Sequence, residues 1–122
     1  MGKESLDLGR EGEDLAERYL RQLGYTIIER NFHSQHGEID LIARIDETLI
    51  FVEVKNYSYR SFNPPCAAIS RSKKQSLIHA ARTYLYKRGI KGTNCRFDVL
   101  TIYRNQSNQC KVEHFQNAFF IN

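Results

Sequence analysis

Apolar residues recur along this chain with two different periods, and the switches between them mark out its elements. Over residues 7–23, Gly12, Leu15, Ala16, Tyr19, Leu20 and Leu23 share one face at helical spacing, and Gly24 supplies a stop. Tyr25 to Phe32 then reads as a first strand. Residues 37–45 and 48–56 are two β-rich runs parted only by Asp46-Glu47, the pattern of an antiparallel hairpin. Ile50, Val52 and Val54 point into a core, so Glu53 and Lys55 share the other side of their strand. Residues 57–68, with Tyr57, Tyr59, Arg60, Phe62, Pro64 and Pro65, form an irregular connection. A second helix is predicted over 70–88, capped by Ser70 or Ser72, with Leu77, Ile78, Ala81, Tyr84 and Leu85 as its buried stripe. Gly89 and Gly92 flank its exit. Arg96–Tyr103 and Lys111–Phe115 are two further strands across the polar turn Asn105–Asn108.

The order is therefore helix, three strands, helix, two strands, which predicts an α/β fold with a mixed central sheet flanked by helices. With 122 residues and neither a repeat nor a linker, the expectation is a single domain spanning 1–122. No run reaches the apolar length of a membrane span, and the first residues lack the apolar segment of a secretory signal. Three cysteines without C-x-x-C spacing argue for a reducing, cytoplasmic setting rather than a disulfide scaffold or a zinc site. The net charge of +4 suits a polyanionic partner without identifying one. Its distribution says more: Arg71, Lys73, Lys74, Arg82, Lys87, Arg88 and Lys91 crowd one stretch, while the acids concentrate before residue 54.

The hairpin carries the densest chemistry. If Ile45 pairs with Thr48, Asp40 faces Glu53 and Glu38 faces Lys55, with opposed Cβ atoms about 4.5–5.5 Å apart. A turn placed one residue earlier keeps Asp40 and Glu53 on one face as diagonal neighbours. Two carboxylates in one apolar setting are costly without a cation, and hard oxygen ligands are what Mg²⁺ prefers. Such an ion activates water and neutralises charge on phosphoryl oxygens, while Lys55 stabilises that charge or positions the water. The competing account of Glu53-x-Lys55 is a solvated polar face, which the preceding Gly37-Glu38-Ile39-Asp40 argues against.

Other residues fit around this centre. Glu13 lies beside the Gly12/Ala16 face of the first helix and is otherwise a solvated carboxylate. Arg60, among aromatics that could stack bases, and Arg71, Lys73 and Lys74, at the start of the second helix, are candidate phosphate contacts. The bland alternatives are a self-packed loop and an exposed helix face. His33 and His36 flank the Gly-Glu-Ile-Asp string and read as surface histidines, and Asp98 as a local partner of Arg96.

Taken together, Gly12-Glu13, Glu29-Arg30-Asn31, Gly37 to Ile42, Phe51 to Lys55, Ala80-Ala81 and Arg96 to Val99 resemble the YraN family of small bacterial proteins. That family is similar to the restriction-endonuclease-like, or PD-(D/E)XK, nucleases, including archaeal Holliday junction resolvases. The resemblance implies a nuclease fold with Glu13, Asp40, Glu53 and Lys55 at catalytic positions. It implies Mg²⁺, with Mn²⁺ as the alternative, held by Asp40, Glu53 and Glu13, and it admits a homodimer. Asn56-Tyr57 after the lysine and Gln75-Ser76 on the second helix depart from the family pattern, where basic residues are usual. The leading expectation is an endonuclease acting on DNA, on branched or damaged forms in particular. The alternatives are a non-catalytic nucleic-acid-binding or adaptor module on the same fold, and an RNA-cleaving enzyme.

Overall fold

The computed structural model describes residues 2–119, with side chains described from residue 9 onward. Its elements are α1 (Gly2–Gln22), β1 (Thr26–His33), β2 (Glu38–Ile45), β3 (Thr48–Ser58), α2 (Arg71–Lys87), β4 (Asn94–Arg104) and β5 (Cys110–Phe119). This is the expected order, in a mixed α/β architecture compatible with the restriction-endonuclease-like fold. α1 begins five residues earlier than the apolar pattern indicated, because residues 3–6 hold no Gly or Pro to stop it. It ends at Gly24, whose positive φ of 94° is a backbone shape that glycine adopts without strain.

The five strands lie in the order β1-β2-β3-β4-β5. All neighbours are antiparallel except β3 and β4, which run parallel from Thr48↔Asn94 to Ser58↔Arg104. Because α2 makes the crossover between that parallel pair, the sheet is covered on both sides. Ala16 and Leu20 of α1 pack on Leu41, Ala43, Ile50, Val52, Val54 and Leu100. Leu77, Ala80, Ala81 and Tyr84 of α2 pack on Ile39, Ile42, Leu49, Phe51 and Phe97 on the opposite side. This double burial explains why Leu49 to Val52 read as a continuous apolar run.

Two registers are interrupted. Along β1–β2 the register shifts between Ile27 and Glu29, and further on the pairs Arg30↔Leu41 and Phe32↔Ile39 bracket Asn31, which has a positive φ of 53°. Leu41 faces α1 and Ile39 faces α2, so β2 twists over at Asp40. Along β4–β5 a second irregularity lies between Phe97 and Val99, opposite the positive-φ residue Asn117.

Candidate active site

The hairpin takes the register in which Ile45 pairs with Thr48, and its ladder runs to Leu41↔Val52. At that point β2 turns away, and Asp40 bridges the gap with its side chain. Its Oδ2 accepts a hydrogen bond of 2.8 Å from the Val54 N–H. Asp40 and Glu53 are thereby neighbours, as expected. Burial, followed by hydrogen bonding to and repulsion from Glu53, pushes the Asp40 carboxyl up to about 7.

Glu53 lies on the α2 side of β3 with its side chain 12% exposed. Lys73 Nζ, from the first turn of α2, stands 3.4 Å from its Oε2. The approach lacks hydrogen-bond geometry, so this buried oxygen has no hydrogen-bond partner among the protein groups. A buried carboxylate oxygen left without a hydrogen-bond donor is uncommon, and among the described residues the Lys73 ammonium is what offsets its charge. Lys55, two residues along the same face, donates to the carbonyls of Cys66 at 2.7 Å and Ala68 at 2.9 Å. Tyr57 Oη donates to that same Cys66 carbonyl, so the connection after β3 is tied down over the lysine.

Glu53, Lys55, Ala68, Ile69, Ser70 and Lys73 line an open cleft of about 380 Å³. One wall is the N-terminus of α2, where Ser70 Oγ accepts from the Lys73 N–H at 3.2 Å. The cap leaves the positive end of the helix facing the cleft. Gly37 sets the distance between this helix and the strand carrying Asp40: a Cβ there would sit 2.6 Å from the Ser76 carbonyl oxygen. The glycine that opens the Gly37 to Asp40 string is thus a packing contact.

One expected pairing is corrected, and one candidate residue is engaged by another partner. Glu38 does not face Lys55; it pairs with His33 across β1–β2, its Oε2 3.1 Å from His33 Nδ1, because β2 has twisted away from β3 before reaching it. Glu13 does not join Asp40 and Glu53. Its Oε1 lies 3.4 Å from an Arg30 nitrogen, and that guanidinium also draws Asp14 to 2.7 Å and Glu17 to 3.4 Å. Among the described residues, no group of three or more His, Cys, Asp or Glu side chains is placed to hold one ion. Of the basic candidates, Lys73 reaches the cleft, Lys74 lies over the Phe119 ring, Arg60 stacks on Tyr59, and Arg71 is exposed at the helix start.

A second polar cluster is larger than its sequence suggested. Fully buried Asp98 receives both Arg96 Nε and an Arg96 terminal nitrogen at 2.9 Å, His114 Nε2 at 2.7 Å and the Asn117 N–H at 3.1 Å. Burial acts to raise its pKa, but these partners outweigh it and hold the carboxyl below its ordinary value. The Arg96 partner was legible; His114 is brought in only by the β4–β5 register.

The fold and its cleft therefore define a mixed α/β protein in which a carboxylate and a lysine of the central strand adjoin a second carboxylate from the neighbouring strand β2. The chain belongs to the family described as Uncharacterised protein family UPF0102, whose model matches residues 12–102. Relatives named UPF0102 protein include one from Persephonella marina, 43% identical over 91% of both chains, and one from Hahella chejuensis, 47% identical over 79% of this chain and 77% of its own. One from Clostridium beijerinckii is 37% identical over the full length of both. The matched region contains Asp40, Glu53, Lys55 and Lys73, and these names state no activity.

Proposed function

We propose that this chain is a metal-dependent phosphodiesterase of the restriction-endonuclease-like class that cuts nucleic acid, DNA in preference to RNA. The observation that carries the reading is the buried Glu53 Oε2 without a hydrogen-bond donor, set beside the part-buried Asp40 carboxylate and near a helix N-terminus. Hard oxygen donors with open positions around them suit Mg²⁺, with Mn²⁺ as the substitute, and Asp40 and Glu53 are the residues that would hold it. When bound, the ion supplies charge neutralisation on the phosphoryl oxygens and lowers the pKa of water.

The remaining roles belong to the chain itself. Lys55 has three N–H donors and spends two on the Cys66 and Ala68 carbonyls, which leaves one for the attacking water or a phosphoryl oxygen. Its two backbone anchors fix the ammonium, so charge forming at phosphorus meets a preset cation. Lys73 and the first turn of α2 provide the opposite wall for the nucleic-acid backbone. As the water oxygen bonds to phosphorus, the P–O bond to the leaving oxygen breaks, the attacking water gives up a proton to solvent, and the leaving oxygen takes up a proton from solvent to depart as a hydroxyl. Glu13 stands outside this arrangement while Arg30 holds it.

A second reading is a binding or adaptor module that keeps the centre without cutting. The self-contacts of Lys55 and the Lys73–Glu53 approach favour it, since they satisfy much of the site from within. Labelled duplex, branched and single-stranded DNA, and RNA, incubated with Mg²⁺, Mn²⁺ or EDTA, decide between them. Metal-dependent cutting lost in Glu53→Ala and Lys55→Ala is the expected result. Binding without cutting under any metal establishes the module, and absence of both overturns the nucleic-acid reading.

A further inference from the structure

We propose that Tyr59 to Phe62 form a base-stacking platform beside the cleft, so that the preferred substrate presents an unpaired base near the phosphodiester to be cut. The inference rests on the nucleic-acid reading of the site and adds the substrate feature that the site selects.

Phe62 is fully exposed and Tyr59 is 43% exposed, although the chain has a core that could have taken either ring. The segment that displays them is built rather than loose. Ser61 N–H donates to the Ser58 carbonyl at 2.9 Å, Ser58 N–H to Ser61 Oγ at 3.0 Å, and Arg60 N–H to Ser58 Oγ at 3.1 Å. Tyr59 N–H donates to the Arg104 carbonyl at 3.0 Å, which fastens the turn to the sheet. Arg60 lies 5.3 Å from the Tyr59 ring centroid with its Nε bonded to the hydroxyl, joining a cation to an aromatic face.

The same connection leads directly to the lysine. Its Cys66 and Ala68 carbonyls hold Lys55, and the four residues from Phe62 to Cys66 span at most about 14 Å. At about 3.4 Å per base step, a base on Phe62 is within roughly four nucleotides of the bond beside Lys55. Charge selects the occupant. No Asp or Glu lies between Glu53 and Asp98 in the sequence, and Arg60 at the turn and Lys73 in the cleft are cations that the same stretch brings to the approach. A connection that carries cations and no acids of its own suits a phosphate backbone, with Glu11 held by Arg104 behind the turn and Glu53 in the cleft as the nearby carboxylates. In paired duplex the base faces are covered by their neighbours, so the rings act only on gaps, bulges, flaps and junctions. Stacking of this kind is worth roughly tenfold to a hundredfold in affinity per base.

The test uses the full chain with a fully paired duplex and the same duplex carrying a short bulge that contains 2-aminopurine, in Ca²⁺ for binding and Mg²⁺ for cutting. The wild type is expected to bind the bulged form at least tenfold more tightly and to quench the probe. Phe62→Ala brings the affinity ratio close to one and abolishes the quenching, whereas Tyr86→Ala, an exposed aromatic change on α2, keeps both. A wild type without preference overturns the proposal, as does a Phe62→Ala protein that retains it. Sedimentation showing a dimer that Phe62→Ala dissociates also overturns it, by assigning the ring to a subunit contact. Preference without cutting supports the platform and removes the nuclease reading; equal cutting of both forms does the reverse.

Discussion

Asp40→Asn is expected to stabilise the fold at and above neutral pH while removing a residue the proposed reaction needs. The native carboxyl is pushed from an ordinary 3.8 to about 7, by burial first and by Glu53 second. An acid with a higher pKa folded than unfolded holds its proton more tightly in the native state. At pH well below 3.8 it is neutral in both states and makes no difference. As pH rises, the unfolded chain ionises first, so the native state loses ground until about pH 7, and above that the full penalty persists. At about 1.4 kcal/mol per tenfold change in proton affinity, the interval sets an upper bound near 4 kcal/mol. Asn removes the charge and keeps an oxygen to accept from the Val54 N–H. The variant should therefore gain about 2–4 kcal/mol over wild type at pH 8 and converge with it at pH 4. Urea unfolding in EDTA at several pH values measures this as a midpoint that falls with pH in the wild type and stays flatter in the variant. Added Mg²⁺ should restore the wild type at pH 8 by binding the native state alone. A variant less stable than wild type at pH 8, or one with an unchanged pH slope, refutes the reasoning.

Gly37→Ala forces a Cβ to within 2.6 Å of the Ser76 carbonyl oxygen, where backbone cannot yield as a side chain would. A loss of about 1–3 kcal/mol is expected, read as a lower urea midpoint with an unchanged m-value. Asp98→Ala strips Arg96 and buried His114 of their shared carboxylate and should cost about 3–5 kcal/mol by chemical denaturation. A loss below about 1 kcal/mol would mean that Arg96, His114 and Asn117 re-pair without it.

What the residues disclosed in advance was whatever depends on local period. Ile50, Val52 and Val54 alternate with Glu53 and Lys55, and the two-residue link at Asp46-Glu47 leaves few registers, so the hairpin and the Asp40–Glu53 proximity were both legible. The place where β2 departs from β3 was not. It coincides with Asn31 taking a left-handed conformation on the neighbouring strand, and Asn does so without any mark in the apolar pattern. The Arg30 contact of Glu13 was hidden for a related reason: three carboxylates of α1 gather around one guanidinium on β1, and sequence spacing does not say which cation they meet. Lys73 was legible as basic, but its approach to Glu53 follows from how α2 is hung between parallel strands. His114 reaches Asp98 through a register irregularity that no alternation encodes.

The parallel pairing of β3 with β4 also bears on how the protein is made. Glu53 and Lys55 belong to a strand whose second neighbour, Asn94–Arg104, follows an entire helix. When the first half of the chain leaves the ribosome, β3 has only β2 beside it and shows an open row of N–H and C=O groups on its other edge. Closing that edge requires a long-range contact, the slow kind in folding. The wall supplied by α2 is likewise missing until Arg71–Lys87 has been synthesised and docked. The chemistry proposed for this cleft would thus be withheld early in synthesis, because strand, lysine anchors and helix cap become one centre only after α2 and β4 have been made.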